Sequence, residues 1–192
     1  EYQVRLVNLS EVESEPLKVK VENETFEFMI PKIIKKADLR INVPKMKYMI
    51  FTKISCALKN IFGCNPYPKK FKYHSKLNNV IVALNKAMPF GLHILDGIIV
   101  CGSKTSKLGL IMASQDPVAM DAAAATIMGV NPHSIRHIML AEKEGLGKSS
   151  FIVKGMDLNY FRSRYPKRRI TEKAIMLGYR VACALGLDKR LI

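Results

Sequence analysis

Short apolar runs that alternate with helical spacings constrain the fold of this chain more than any other feature. Leu39-Arg40-Ile41-Asn42-Val43, Leu92–Leu95 and Lys107–Ala113 each read as a strand too apolar to have one face in water. Between and after them lie segments of helical period. Thr52–Phe62 places Ile54, Leu58 and Ile61 on one side, with Gly63 at the stop position. Ser75 precedes a helical stretch over Lys76–Ala87 that ends before Pro89. Asp116-Pro117 opens an alanine-rich helix closed by Gly129, and Asn131-Pro132 repeats the device for a helix ending near Gly145. Strand and helix in alternation predict an α/β fold, a mostly parallel sheet covered by helices on both faces. Leu17–Val21 and Thr25–Phe28, joined through Glu22-Asn23-Glu24, add an N-terminal β-hairpin, and Val4–Leu9 and Pro31–Lys36 predict one more strand and a short helix. Residues 148–192 are expected to supply a strand at Ser149–Val153 and a helix at Thr171–Leu185 packed on the domain formed by residues 1–147.

Charge narrows the function. The 192 residues carry a net charge of +15, but residues 1–27 are −4, which leaves +19 on the rest. Between Asp38 and Asp96 stand ten Lys or Arg and no acid, a field that attracts phosphates, carboxylates, nucleic acid or an acidic protein. Mean hydropathy is +0.04, and the most apolar stretch, Ala174–Leu187, carries Arg180 and is too short for a span, so no membrane crossing is expected. The start at Glu1 has no apolar leader. Cys56, Cys101 and Cys183 lie in apolar runs and read as buried thiols, while Cys64 lies in a loop; none forms a Cys-x-x-Cys pair, and a reducing cytoplasm suits all four.

In open α/β sheets ligands sit beyond the carboxyl ends of strands. Lys45 and Lys47 fall there, after Asn42-Val43-Pro44, and Thr52 would begin the next helix with its hydroxyl and backbone N–H groups turned toward the same anion. Lys59 and Asn60 follow two turns later. Each lysine alone reads as solvated, but the acid-free run between 39 and 95 makes a shared anion site as good a reading. The bound species would be a small phosphate or carboxylate. Tyr67-Pro68-Lys69-Lys70-Phe71-Lys72-Tyr73-His74 interleaves aromatics with bases, as a loop over an anionic substrate or a nucleic-acid contact would. His74 is the preferred proton-transfer group there. Asp96 and Asp116 each follow a strand, and together at one sheet edge they would hold a divalent cation that bridges to the anion, although an N-cap alone explains Asp116. Asp96 would otherwise meet a hydroxyl. Asp121 is expected to pair with a lysine, His93 to lie in the core, and His133 with His137 to have the spacing of a metal pair without a third ligand nearby. Arg162–Arg169 is a further basic run, suited to nucleic acid or to a solvated connector.

These residues also carry a family resemblance. Asn42-Val43-Pro44-Lys45-Met46-Lys47, Thr52 and Leu58-Lys59-Asn60-Ile61-Phe62-Gly63, then Tyr73-His74, Leu95-Asp96-Gly97-Ile98, Leu108-Gly109-Leu110-Ile111 and Asp116-Pro117-Val118-Ala119-Met120-Asp121 occur in the order found in the family catalogued as domain of unknown function 362. Ile127-Met128-Gly129, His137 and Gly145-Leu146-Gly147 extend the match, which covers about residues 1–147 and resembles the C-terminal part of that family. The resemblance implies an α/β fold. Many members are fused to ferredoxin-type domains with iron–sulfur clusters, which suggests docking to an acidic iron–sulfur partner as another role. This chain has no Cys-x-x-Cys-x-x-Cys run, so the cluster itself is not carried over. The family also commonly has histidine where Met49 stands here, and its absence favours binding over catalysis.

Overall fold

The computed structural model describes residues 4–101, 105–166 and 178. The chain begins with a hairpin of β1 (Ser14–Val21) and β2 (Glu24–Pro31), paired antiparallel from Ser14 with Pro31 to Val21 with Glu24. Its tight turn puts Glu22 at φ 52°, one of the few positions where a non-glycine residue turns left-handed. One face of the hairpin, with Val21, Phe28 and Ile30, is buried, and its tip is tied down by charge. Glu22 meets Lys143 at 3.1 Å, its N–H donates to Glu144 at 2.8 Å, and Lys86 bridges to Glu144 at 2.6 Å.

After a short helix α1 (Lys32–Lys36), strand β3 (Ile41–Asn42) breaks only briefly at Val43-Pro44 before β4 (Lys45–Met49). Pro44 therefore does not end the strand. Its carbonyl still accepts the N–H of Asp96 at 2.8 Å, so the missing donor of proline costs the ladder one bond and not its direction. Both strands run parallel to β6 (Leu92–Cys101), with Asn42 opposite His93, Lys45 opposite Asp96 and Lys47 opposite Cys101. Two antiparallel strands flank this parallel centre: β5 (Lys53–Ser55) beside β4, and β7 (Thr105–Ser114) beside β6. This is the α/β class expected, with the hairpin as a separate antiparallel unit.

Helices α2 (Ala57–Ile61), α3 (Leu77–Ala87), α4 (Pro117–Ile127) and α5 (Arg136–Lys143) flank the sheet. α2 and α4 pack on the sheet face that carries the buried Asn42, Met46, His93, Leu95 and Leu110, while α3 packs on α2, α5 and the hairpin. Ile41 and Ile111 point from the other face and are exposed, and Asp96 on the same face is half-buried. Gly97 marks the tightest sheet contact, since a Cβ there would lie 3.0 Å from Cβ of Leu110. The ladder shifts register immediately after it.

Several expected elements change. Val4–Leu9 forms no strand. Thr52–Phe62 splits into the returning strand β5 and the one-turn helix α2, because the chain doubles back on β4 before the helical period takes hold. The aromatic stretch is not a loop throughout, as Lys70–Lys76 winds into 3-10 turns. Ser149–Val153 forms no strand, and α6 (Leu158–Arg164) follows, packing Phe161 into the core beside α4 and β7. The helix expected at Thr171–Leu185 lies outside the described residues, apart from Gly178. No helix among the described residues is long and apolar enough to cross a membrane.

Candidate functional site

The parallel pair β4–β6 carries its charged side chains in two tiers. In the first, Lys45 and Asp96 are registered partners, and the Lys45 ammonium reaches Asp96 Oδ2 at 2.8 Å. The other oxygen of Asp96 accepts the N–H of Ile98 at 3.0 Å. The bond from Lys45, then that from Ile98, holds the Asp96 carboxyl below the usual carboxylate range. Lys45 is thereby committed to a carboxylate.

One tier further, at the carboxyl end of both strands, the charges are of one sign. Lys47 is exposed beside Cys101 of β6, and Lys59 of α2 lies close enough to repel it. Burial, and then the Lys47 charge, hold the Lys59 ammonium below its ordinary value. His74 joins them from the 3-10 segment, its ring packed on Phe51 of the β4–β5 turn at 5.2 Å. Burial and then the Lys59 charge hold the His74 imidazolium down as well. Among the described residues no carboxylate pairs with Lys47 or Lys59. Lys59 thus lies within electrostatic reach of both Lys47 and His74.

Beneath this cluster is a polar scaffold that holds it in place. Asn42 is buried and its amide N–H groups reach the carbonyl of Ala57 at 3.0 Å and Nδ1 of His93 at 3.0 Å. Asn60 donates to Asn42 Oδ1 at 2.8 Å, so it acts behind Lys59 and has that amide N–H engaged away from any anion. Asp121, fully buried on α4, accepts the N–H of Ala57 at 2.6 Å and of Leu58 at 3.4 Å. The free N–H groups expected to face the anion at the next helix are therefore already taken by a carboxylate from within. Thr52 is buried too, and its hydroxyl donates to the carbonyl of Ile54 at 2.8 Å. Asp121 is a core acid, where a lysine partner was expected. Ala124 and Ala125, three and four residues further along the same helix, are buried with it.

The carboxylates expected to share a cation do not share an end of the sheet. Because β7 runs antiparallel to β6, its last residue Ser114 lies opposite His93, three positions before Asp96 and about 10 Å away. Asp116 lies beyond that point. Its Oδ1 accepts from Val118 and Ala119 at 2.8 and 2.9 Å as the cap of α4, and its Oδ2 accepts from Lys148 at 2.8 Å. Among the described residues no three His, Cys, Asp or Glu side chains group as metal ligands. His133 is exposed against Met139 while His137 is buried against Asp121 Oδ2 at 3.7 Å, so the two do not converge. His93 lies in the core, as expected. Cys56 is buried, its thiol pushed well up by burial and by Asp121. Cys64 is half-buried, Cys101 is exposed at the frayed end of β6 where a buried thiol was expected, and Cys183 lies outside the described residues. Of the basic run at 162–169, Arg162 and Arg164 lie on α6, where Arg164 stacks on Tyr160 at 3.7 Å.

The fold defines an α/β domain whose parallel strand pair carries Lys47, paired with no carboxylate among the described residues, toward its carboxyl end. The chain belongs to the family described as a domain of unknown function, DUF362, whose profile matches residues 1–126. It is 29% identical over 127 residues to the thylakoid-associated protein sll1697 of Synechocystis sp., an alignment that takes in 59% of this chain. The matched part is 40% of that relative's length. No solved structure matches the chain.

Proposed function

We propose that the domain binds a small molecule through a phosphate or carboxylate group, held by Lys47 and Lys59 at the carboxyl end of β4 and β6. The observation that carries this reading is the contrast between the lysines: Lys45 has Asp96, whereas Lys47 and Lys59 pair with no carboxylate among the described residues, and the Lys59 ammonium is held down by the Lys47 charge. Like charges held together are unfavourable in the empty protein, and an anion placed among them relieves the repulsion. The position agrees with the general place of ligands in open α/β sheets.

Residue roles follow from placement. Lys47 supplies the exposed ammonium, Lys59 the half-buried one, and His74 a neutral imidazole near neutral pH that gains a proton when the anion arrives. Asp96 holds Lys45 upright beside the site. Met49, where the family commonly has histidine, ends β4 next to the turn whose Phe51 carries His74, so His74 is placed to take over a proton-handling role. Asp96 and Asp116 are too far apart for a shared cation, and the anion needs none.

Thermal unfolding in sulfate, phosphate and citrate tests the reading. Each is expected to raise Tm for the native chain, and Lys47→Ala and Lys59→Ala to remove most of the rise. If both variants keep the full anion response, the site is elsewhere and the proposal fails.

A further inference from the structure

A second site lies on the far side of the Asn65–Tyr73 segment, against the hairpin. There a cavity of about 630 Å³ opens between β2 and that segment, walled by Phe28, Met29, Tyr67 and Tyr73 and bordered by Asn65 and Lys72. Its size falls within the range of small-molecule pockets. The rings form one continuous wall, since Tyr73 meets Phe28 at 5.9 Å and Tyr67 edge-on at 6.4 Å.

Two donors in this wall have no acceptor. The Lys72 ammonium lies 3.4 Å from the centre of the Tyr67 ring and 4.9 Å from that of Tyr73, and it makes no ion pair among the described residues. Asn65 is 1% exposed; its Oδ1 accepts the N–H of Tyr67 at 3.1 Å, which fixes the amide orientation, and its Nδ2 has no partner. A buried donor without an acceptor costs free energy, and an ammonium over aromatic faces keeps its charge available for an anion. Both of these groups are donors, and the lining around them is largely aromatic, with Glu27, Ser10 and Ser14 also lining the cavity.

We infer that this cavity is a second binding site, specific for a planar aromatic carboxylate. The ring would lie against Tyr67 and Tyr73, and the carboxylate would pair with Lys72. Nothing in this assignment depends on Lys47, Lys59 or His74.

Fluorine NMR titration of the full chain tests it with three probes of one shape and different charge: para-fluorobenzoate, para-fluorobenzamide and para-fluorobenzyltrimethylammonium. The benzoate is expected to bind saturably below about 10 mM, the range open to a ligand of so few atoms. The neutral amide should bind about tenfold more weakly, the worth of one charge-assisted contact. Lys72→Gln, at an exposed side chain, should weaken benzoate binding about tenfold, and Lys72→Arg should restore most of it. Lys47→Ala should leave it unchanged, which separates this cavity from the anion site. Absence of saturable benzoate binding, binding indifferent to Lys72→Gln, or tighter binding of the ammonium probe would each overturn the inference; the last would make the cavity a cation box.

Discussion

Asp121 Oδ1 accepts the backbone N–H of Ala57 at 2.6 Å, joining residues 64 apart in sequence where neither touches solvent. Through this contact α4 fixes the first turn of α2, and α2 carries Lys59. The second oxygen of Asp121 makes no hydrogen bond and lies 3.7 Å from Nε2 of His137. Replacing Asp121 with Ala strands two buried N–H groups and empties a buried polar site. The expected loss is about 3 kcal/mol of unfolding free energy, read from the midpoint of urea denaturation. A loss below about 1 kcal/mol would show that Asp121 does not hold the helix.

Much of the scaffold was legible before the structure, and the reasons are local. Asp116-Pro117 is a helix start whose cap bonds depend on neighbours two and three residues away, and it appears as read. The hairpin is equally local. What the chain did not disclose depends on long-range contact. The apolar spacing of Ile54, Leu58 and Ile61 fits a helix, yet Ile54 is buried on a strand because β4 offers a free edge to pair with. The direction of β7 carried the largest consequence. Lys107–Ala113 reads as a strand in either sense, and only the antiparallel one removes Asp116 from the Asp96 end. Asp121 was equally hidden, since an acid on an alanine-rich helix looks solvated until α2 is packed over it.

The two tiers of lysines make opposite predictions. Lys45 and Asp96 form an exposed pair, so Lys45→Ala should cost no more than about 1 kcal/mol of stability. It should also leave most of the sulfate-induced rise in Tm intact. Lys47→Ala should change stability little or raise it slightly, by relieving Lys59, while abolishing most of the sulfate response. Parallel melts of the two variants, with and without sulfate, check both. Equal loss of response in both variants would assign Lys45 to the anion as well.

Acidification should strengthen anion binding. Burial and the Lys59 charge depress the His74 imidazolium below its ordinary value of 6.5. The folded protein therefore binds fewer protons than the unfolded chain just below pH 6.5, and without ligand its stability falls as pH falls through that range. Buried His93, also depressed, adds to that slope. A bound anion favours the protonated imidazole and so recovers part of the loss. Sulfate does not titrate in this range and is the suitable probe. Its dissociation constant should fall between pH 7.5 and 5.5 by several-fold, on the order of one pKa shift. In His74→Ala the pH dependence of sulfate binding should flatten while the His93 slope in stability persists. A native-like pH profile in that variant would place the responsive group elsewhere.

Asp116 and Gly147 form the other long-range clamp, and here the prediction is one of coupling. A Cβ on residue 147 would sit 2.0 Å from Asp116 Oδ1, so the carboxylate that caps α4 also requires a glycine opposite it. Asp116→Ala should cost about 1–2 kcal/mol, the worth of an N-cap with one further bond to Lys148. Gly147→Ala should cost about 2 kcal/mol or more, because either the cap or the loop must move. In the double variant the clash has lost its partner. The combined loss should fall short of the sum of the single losses by about 1 kcal/mol or more, measured as a denaturant double-mutant cycle. Additive losses would mean that Gly147 is required by its own backbone and not by Asp116. Sulfate stabilisation should survive in all three variants, since Asp116 caps its helix and bonds Lys148 N–H but neither Lys47 nor Lys59.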